Sequence, residues 1–372
     1  MTEFTQQALD GVEEAIAAIG DGAMVIVVDD ADRENEGDLI VAAARATAER
    51  IAFMIRHSSG ILCAPLTEAQ ARRLNLDPMV ARNDAPLATA FTISVDCKHG
   101  LTTGISAQER CTTVRALANN NVGSDDFVRP GHVFPLIARR GGVLMRSGHT
   151  EAAVDLARLA GLPPVGVVGE LVNDDGTVKR GRDVVAFARE HGLKVISVAD
   201  LIAYRQARER LVERVGEFSI DTPIGPARAI AYVSQFDAMQ HLALIFGSIG
   251  GKDSVATRLH REDMTNDVFG ERRILNAAYR HFKADGRGIL VYLREGATGV
   301  PATPLADTAE NAAIPNRSAR DRDQAWRDIG LGAQILRDLG VTSIRLLATS
   351  TRHYVGLPGF GIEIADTIMI DQ

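Results

Sequence analysis

Asp29 to Asp38 reads DDADRENEGD, six carboxylates and one arginine, directly after the apolar run Met24-Val25-Ile26-Val27-Val28. Like charges this dense repel one another unless a cation, a substrate or water relieves them. A solvated acidic turn is the ordinary reading of such a run. Two details point to chemistry instead. The acids follow a predicted buried strand at its C-terminal end, where open α/β sheets place their ligands. Arg33 adds an anion-binding fork, and Gly37 a backbone position free to bend. Arg33, Glu34, Glu36 and Asp38 therefore form the first candidate cluster.

Two further polar clusters resist assignment to a core. Arg129-Pro130-Gly131-His132 reads as a loop that presents a histidine. Arg146-Ser147-Gly148-His149-Thr150 reads as a strand end opening into a helix. There, helix N-terminal N–H groups, close approach at Gly148 and the Arg146 fork would make a phosphate cradle, with an ordinary capped turn as the alternative. His149, paired with a carboxylate from the acidic run, could complete a site for a hard divalent cation of the magnesium type. No cysteine takes part, which disfavours structural zinc. Glu170 is a further carboxylate at a strand end, or a surface acid before the turn Asn173-Asp174-Asp175-Gly176. Acids, bases, a cation and a phosphate cradle together suggest enolisation of a sugar phosphate.

Helices and short apolar strands must position these groups. Hydrophobic patterning predicts strands over 24–28, 60–65, 91–95, 142–145, 165–168 and 194–198, and helices over 47–56, 107–119, 151–159 and 183–190. Ser106 and Glu109 read as a capping box after the loop Gly100 to Gly104, and Thr150 as an N-cap. A charged helix over 201–215 holds the expected boundary, dividing the chain into 1–207 and 208–372. The second half is predicted to hold strands over 227–233, 242–246, 288–293 and 343–347 and a helix over 332–339. Residues 295–323 lack periodicity and read as disordered. There is no internal repeat.

At 372 residues the chain is about two domains long. Its 46% hydrophobic and 24% charged residues are those of a soluble globular protein. A net charge of −7 argues against nucleic acid as a partner. Cys63, Cys97 and Cys111 lack metal spacing and suit a reduced, cytoplasmic chain. Phe4, Leu9, Val12, Ile16 and Ile19 recur at helical spacing and do not form a signal peptide, and no apolar run suits a membrane span.

The stretches DDADRENEGDLIVAA, RHSSGILCAPL, GLTTGISAQERCTTVRA, RPGHVFPLIARRGGVLMRSGHTEAAVDLARLAG and GELVNDDGT closely resemble 3,4-dihydroxy-2-butanone 4-phosphate synthase over about residues 8–205. This resemblance implies an α+β fold, an N-terminal α/β sandwich acting as a homodimer with sites near the subunit interface. It implies a riboflavin-biosynthesis lyase that converts ribulose 5-phosphate to the four-carbon phosphate and formate, with two magnesium or manganese ions per site. By the same resemblance Glu34 and His149 are metal ligands, and His132 and Glu170 are catalytic. Arg33, Glu34, Asp38, Arg146, Ser147, Gly148, His149, Thr150 and Glu170 meet the substrate. Glu36, Asp38 or Glu170 would move protons.

From about residue 208 the pieces HREDMTNDVFGERR, RGILVYLREG, RDIGLGAQILRDLGV and RLLATS resemble GTP cyclohydrolase II, implying a second α/β domain. That family holds catalytic zinc through three cysteines, at positions that here read Asp263, Ile274 and Asn276. Arg327 matches its reactive arginine, but the partner acid is replaced by Ala325, and the nucleotide segment reads Ala348-Thr349-Ser350-Thr351. The resemblance thus implies a domain without zinc or GTP chemistry, kept for a structural or regulatory role. The alternatives are a retained cyclohydrolase and a nucleotide- or flavin-binding tail that regulates the synthase.

Overall fold

The computed structural model describes residues 9–29, 33–85, 87–209, 212–234, 239–250, 253–294, 330–349 and 362–370. The stretch expected to be disordered, together with Ala325, Arg327, Ser350 and Thr351, lies outside these residues. The chain forms two compact units, residues 1–202 and 203–372.

The first unit runs α1 (Val12–Gly20), β1 (Val25–Val28), β2 (Gly37–Ala42), α2 (Ala48–His57), β3 (Cys63–Thr67), α3 (Glu68–Arg73), β4 (Val95–Cys97), α4 (Ala107–Leu117), β5 (Phe127–Ala138), α5 (His149–Leu159), β6 (Gly166–Glu170), α6 (Gly181–His191) and β7 (Lys194–Ser197). Its mixed seven-stranded sheet has the order β4-β5-β3-β6-β2-β1-β7. β1 and β2 are buried at every position, which fits a sheet covered on both faces. Ile26, Val28, Leu39 and Val41 share one core with Ile51 and Met54 of α2, Val114 and Leu117 of α4 and Phe187 of α6. On the other face α5 lies across β2, β3 and β6, and packs against α1. The helix α7 (Val198–Arg208) contains both the division between the units and the boundary expected near 207.

The second unit holds β8 (Val212–Thr222), β9 (Gly225–Ser234), β10 (Gln240–Phe246), β11 (Val255–Arg261), α8 (Arg273–Asp285), β12 (Gly288–Leu293), β13 (Ser343–Ala348) and β14 (Glu363–Met369). These strands form a second mixed sheet, ordered β14-β13-β11-β12-β10-β9-β8. α8 packs Leu275, Ala278 and Phe282 against Ala229, Phe246 and Leu290 on one face. The helix over residues 330–338 packs Ala333, Ile335 and Leu336 against Ile230, Ile245 and Val291 on the other.

Several expectations need correction. Residues 142–145 form no strand: Gly142–Leu144 is a 3-10 turn, bent by positive φ at Gly141 and Gly142 and tied by Val143 N donating to Asp155 Oδ2 at 2.8 Å. The strand expected over 91–95 is Val95–Cys97, with Phe91 and Thr92 in isolated bridges. Arg129 to His132 is no loop but part of β5, where the register jumps from Val95↔Val133 to Asp96↔Val128 and so bulges these residues out. Gly37 and Asp38 belong to β2 rather than to an acidic turn. Gly148, not Thr150, is the N-cap of α5, and Arg146 follows the 3-10 turn rather than a strand. Ser106 does cap α4, accepting from Glu109 N.

Candidate active site

β1 delivers the buried Asp29 to the head of the acidic turn, and Asp29 folds that turn around itself. Its Oδ1 accepts from Glu36 N at 2.9 Å, and its Oδ2 from Glu34 N at 3.1 Å and Arg33 Nη1 at 2.8 Å. Arg33 also pairs with Glu34, so its guanidinium bridges two carboxylates. Asp38 stands on β2 directly opposite Glu170 on β6. Because α5 crosses these strands, its first residue, His149, meets the acids. His149 Nδ1 lies 3.7 Å from Glu34 Oε2 and 3.8 Å from Asp38 Oδ2. Glu36 turns away and accepts from Arg180 Nη2 at 2.7 Å.

The electrostatics separate these acids into roles. Burial pushes Glu34 up, but His149 and Arg33 outweigh it and hold the carboxyl at about 2. Asp38 is pushed up to about 7, first by burial and then by Glu170, Glu34 and Asp29, against the pull of His149. Burial would lower His149, yet Asp38 and Glu34 raise it to about 9. Glu170 is raised by burial and by Glu36 and Glu34. Cys63 faces the same acids, and burial with Asp38 and Glu170 pushes its thiol up to about 12.

The donor set suits a divalent cation. Ligand atoms of Asp29, Glu34 and His149 all lie within 4.8 Å of one another. Asp29 is already committed to the turn by three hydrogen bonds, whereas Glu34 and His149 are the groups of this set that could hold a cation. His149 Nε2 and Asp38 Oδ1 are buried with no hydrogen-bond partner among the described residues. Buried polar atoms are normally satisfied, so each of these two has capacity left for a bound group. One imidazole among carboxylates suits a hard divalent cation such as magnesium.

The other expected residues fall on either side of this cluster. Gly148 opens α5, and Ser147 and Thr150 flank it. Arg146 lies against this turn, its Nη1 donating to Glu151 Oε2 at 2.8 Å. His132 sits on β5, where Asp96 Oδ1 accepts from His132 N at 2.9 Å and Asp96 Oδ2 lies 2.7 Å from His132 Nδ1. Gly104 packs over that pair: a Cβ there would fall 2.1 Å from Asp96 Oδ2. No hydrogen bond or ion pair among the described residues joins His132 to Glu34 or His149. Sequence reasoning missed Asp29 as organiser, Asp96, Glu151 and Cys63. The stretch FTISVDC offered a short buried strand but no sign that its aspartate meets a histidine far along the chain.

Residues 13–204 match the 3,4-dihydroxy-2-butanone 4-phosphate synthase family, and residues 213–369 match GTP cyclohydrolase II. The riboflavin biosynthesis protein RibBA of Salinispora arenicola (strain CNS-205) is 47% identical over 370 residues, covering 96% of this chain and 88% of that protein. The chain belongs to the 3,4-dihydroxy-2-butanone 4-phosphate synthase family. It is an enzyme of riboflavin biosynthesis. A solved synthase of this family, RibBX of A. baumannii, described as a two-domain enzyme, superposes with a TM-score of 0.79 at 37% identity, covering 96% of this chain and 99% of its own. Another, a 3,4-dihydroxy-2-butanone 4-phosphate synthase in complex with two magnesium ions, gives a TM-score of 0.53 at 47% identity, covering 54% of this chain and 98% of its own.

In the cyclohydrolase-like half of this synthase, Asp263 closes a turn. Its Oδ1 accepts from Thr265 Oγ1 at 2.7 Å and from Asn266 N at 3.1 Å, and its Oδ2 from Asn266 Nδ2 at 2.6 Å. Asn276 Nδ2 donates to Glu271 O at 3.0 Å, and Ile274 packs into the core under α8. No described helix is long and apolar enough to cross a membrane.

Proposed function

We propose that this chain converts D-ribulose 5-phosphate to L-3,4-dihydroxy-2-butanone 4-phosphate and formate, and that its second half carries no GTP-opening chemistry. The observation that carries the first part is the convergence of Glu34, Asp38 and Glu170 on His149, with His149 Nε2 and Asp38 Oδ1 each buried and unpartnered among the described residues.

Glu34 and His149 would hold magnesium or manganese, which would polarise the sugar carbonyl and stabilise developing enediolate charge. Glu34, held at about 2, stays ionised throughout. Asp38 and Glu170 stand opposite each other with raised pKa values, so one can accept the proton from the sugar carbon while the other gives one up. Asp96 fixes His132 Nδ1, which leaves Nε2 to exchange a proton with a hydroxyl or its leaving water. Arg33 and the N-terminal turn of α5 would orient the substrate's anionic groups. The water lost in dehydration is returned when formate is released, so no further reactant is needed.

The second part of the reading is supported by what stands at the positions of the family's cysteines. A carboxylate tied into a turn, an amide in α8 bonded to the Glu271 carbonyl, and an isoleucine packed against a core do not make a thiolate set. We read the enzyme as a cytoplasmic homodimer, to be checked by sedimentation.

The test is formate release from ribulose 5-phosphate with magnesium, with GTP assayed in parallel. Release should occur from the sugar phosphate and not from GTP. Glu34→Ala and His149→Ala should each lower it by at least ~10²-fold, the loss of several kcal/mol of charge stabilisation, while circular dichroism stays native. Near-normal release by either variant would sink the assignment.

A further inference from the structure

We propose that Arg110 is a positioning residue for this reaction: it supplies the buried counter-charge that lets Asp96 hold the His132 ring, and it ties that pair to the strand bearing Glu170. The inference rests on the reading of His132 as a proton carrier given above. Arg110 lies in the first turn of α4 and belongs to none of the three polar clusters that the sequence marks out.

α4 is seated against β4 next to Asp96. Thr113, one turn beyond Arg110 and so on the same face of the helix, accepts from Cys97 N through Oγ1 at 2.9 Å. Arg110 is 5% exposed and Asp96 3%. Arg110 Nη1 donates to Gly60 O at 3.0 Å, and its Nε is buried with no hydrogen-bond partner among the described residues. A guanidinium carries five donors and keeps its proton, so burying one this way is costly unless a negative charge faces it. Burial draws the Arg110 guanidinium below its usual range, and the charge that pulls it back is Asp96.

The same guanidinium connects two parts of the site. Gly60 belongs to the turn after α2, in which Ser58 Oγ accepts from Gly60 N at 3.2 Å and Ser59 N donates to Glu170 O at 3.0 Å. Gly169 lets β6 close on that turn, since a Cβ there would fall 3.0 Å from Ser58 Oγ. On the other side Glu109, the neighbour of Arg110, accepts from Thr102 N at 2.7 Å and holds the loop that brings Gly104 over the Asp96–His132 pair. Asp96 accepts from His132 N through one oxygen and meets the ring through the other. Without Arg110, each proton that His132 gives up would leave the buried Asp96 charge uncompensated. With it, Asp96 can hold the ring before and after the transfer.

Arg110→Gln removes the charge and keeps a donor for Gly60 O, whereas Arg110→Lys keeps the charge. In Arg110→Gln the kcat for formate release from ribulose 5-phosphate should fall about tenfold with KM unchanged, the size of one coupled pair. Arg110→Lys should recover most of that loss. In an Asp96→Asn background Arg110→Gln should cost nothing further, because the carboxylate it answers is gone. An unchanged kcat in Arg110→Gln overturns the inference. So do equal losses in the Gln and Lys variants, which mark a packing role alone, and losses that multiply in the double variant. Urea unfolding of the full-length wild type, both single variants and the double reads the pair without turnover. Arg110→Gln should lower the midpoint, and adding Asp96→Asn should raise it again, since no buried carboxylate is left stranded. Midpoint losses that add overturn the pairing, even where Arg110→Gln is too unstable to assay. An inactive wild type would sink the functional reading and leave the pairing to be decided by these midpoints.

Discussion

At the scale of single residues, the site works by giving neighbouring acids different proton affinities. Glu34 lies well below the ordinary glutamate range and Asp38 well above the ordinary aspartate range, although both face His149. Burial dominates at Asp38, whereas Arg33 and His149 prevail at Glu34. A depressed folded pKa stabilises the protein above the unfolded value of about 4.3, and that contribution is lost as pH falls through about 2. In the metal-free protein Glu34→Gln should therefore lower stability by about 2 kcal/mol at pH 6 and by about half as much near pH 3. Urea midpoints at both pH values check this, and an equal offset at both would contradict it. Asp96 is the second residue whose role is local. Its carboxylate holds both the backbone and the ring of His132, so Asp96→Asn should free the imidazole to turn or change tautomer. We expect kcat to fall about 10²-fold with KM for ribulose 5-phosphate unchanged. A change confined to KM would show that Asp96 shapes binding instead.

At the scale of elements, what could be read in the sequence depended on whether a strand's pattern was local. β1 reads plainly because Val25 to Val28 are apolar and β-branched and buried on both faces. β2 was hidden because it opens with Gly37 and Asp38, which look like the end of an acidic turn. β5 was hidden because Arg129-Pro130-Gly131 breaks its apolar pattern, and only the bulge against β4 explains how it passes. The same distinction holds for the site. Arg33, Glu34, Asp38, His149 and Glu170 stand in dense motifs and come together, whereas Asp96 acts through His132, a partner distant in sequence. Gly131 shows what the β5 bulge demands. A Cβ there would fall 2.1 Å from Val95 C and 2.3 Å from Asp96 N, both backbone atoms that cannot yield. Gly131→Ala should cost about 3 kcal/mol and about 10 °C in melting temperature, and displace His132. Gly123→Ala is the control, since its nearest neighbour would be Asp126 Oδ2 at 3.9 Å. Equal melting temperatures for the two variants would remove the argument.

At the scale of the whole molecule, the two halves have kept different things. The first keeps a dense set of ionisable groups around buried donor atoms. The second keeps a sheet with a hydrophobic core on each face, one under α8 and one under the helix over 330–338. A domain that relies on a structural or catalytic zinc draws folding energy from it and responds to chelation. Here the turn at Asp263 is closed by Thr265 and Asn266, and the adjacent His260 Nε2 lies within hydrogen-bonding distance of Asp267, which also accepts from Tyr292 Oη at 2.7 Å. On the proposed reading, hydrogen bonds and apolar burial would do locally what a metal does in such a domain. The purified chain should then carry no stoichiometric zinc by elemental analysis. With magnesium saturating, a zinc-selective chelator should leave every thermal transition of the full-length protein where it was. A transition that drops on chelation and returns with added zinc would show that the second half has found another ligand set. GTP turnover would then have to be reopened as an activity of this chain.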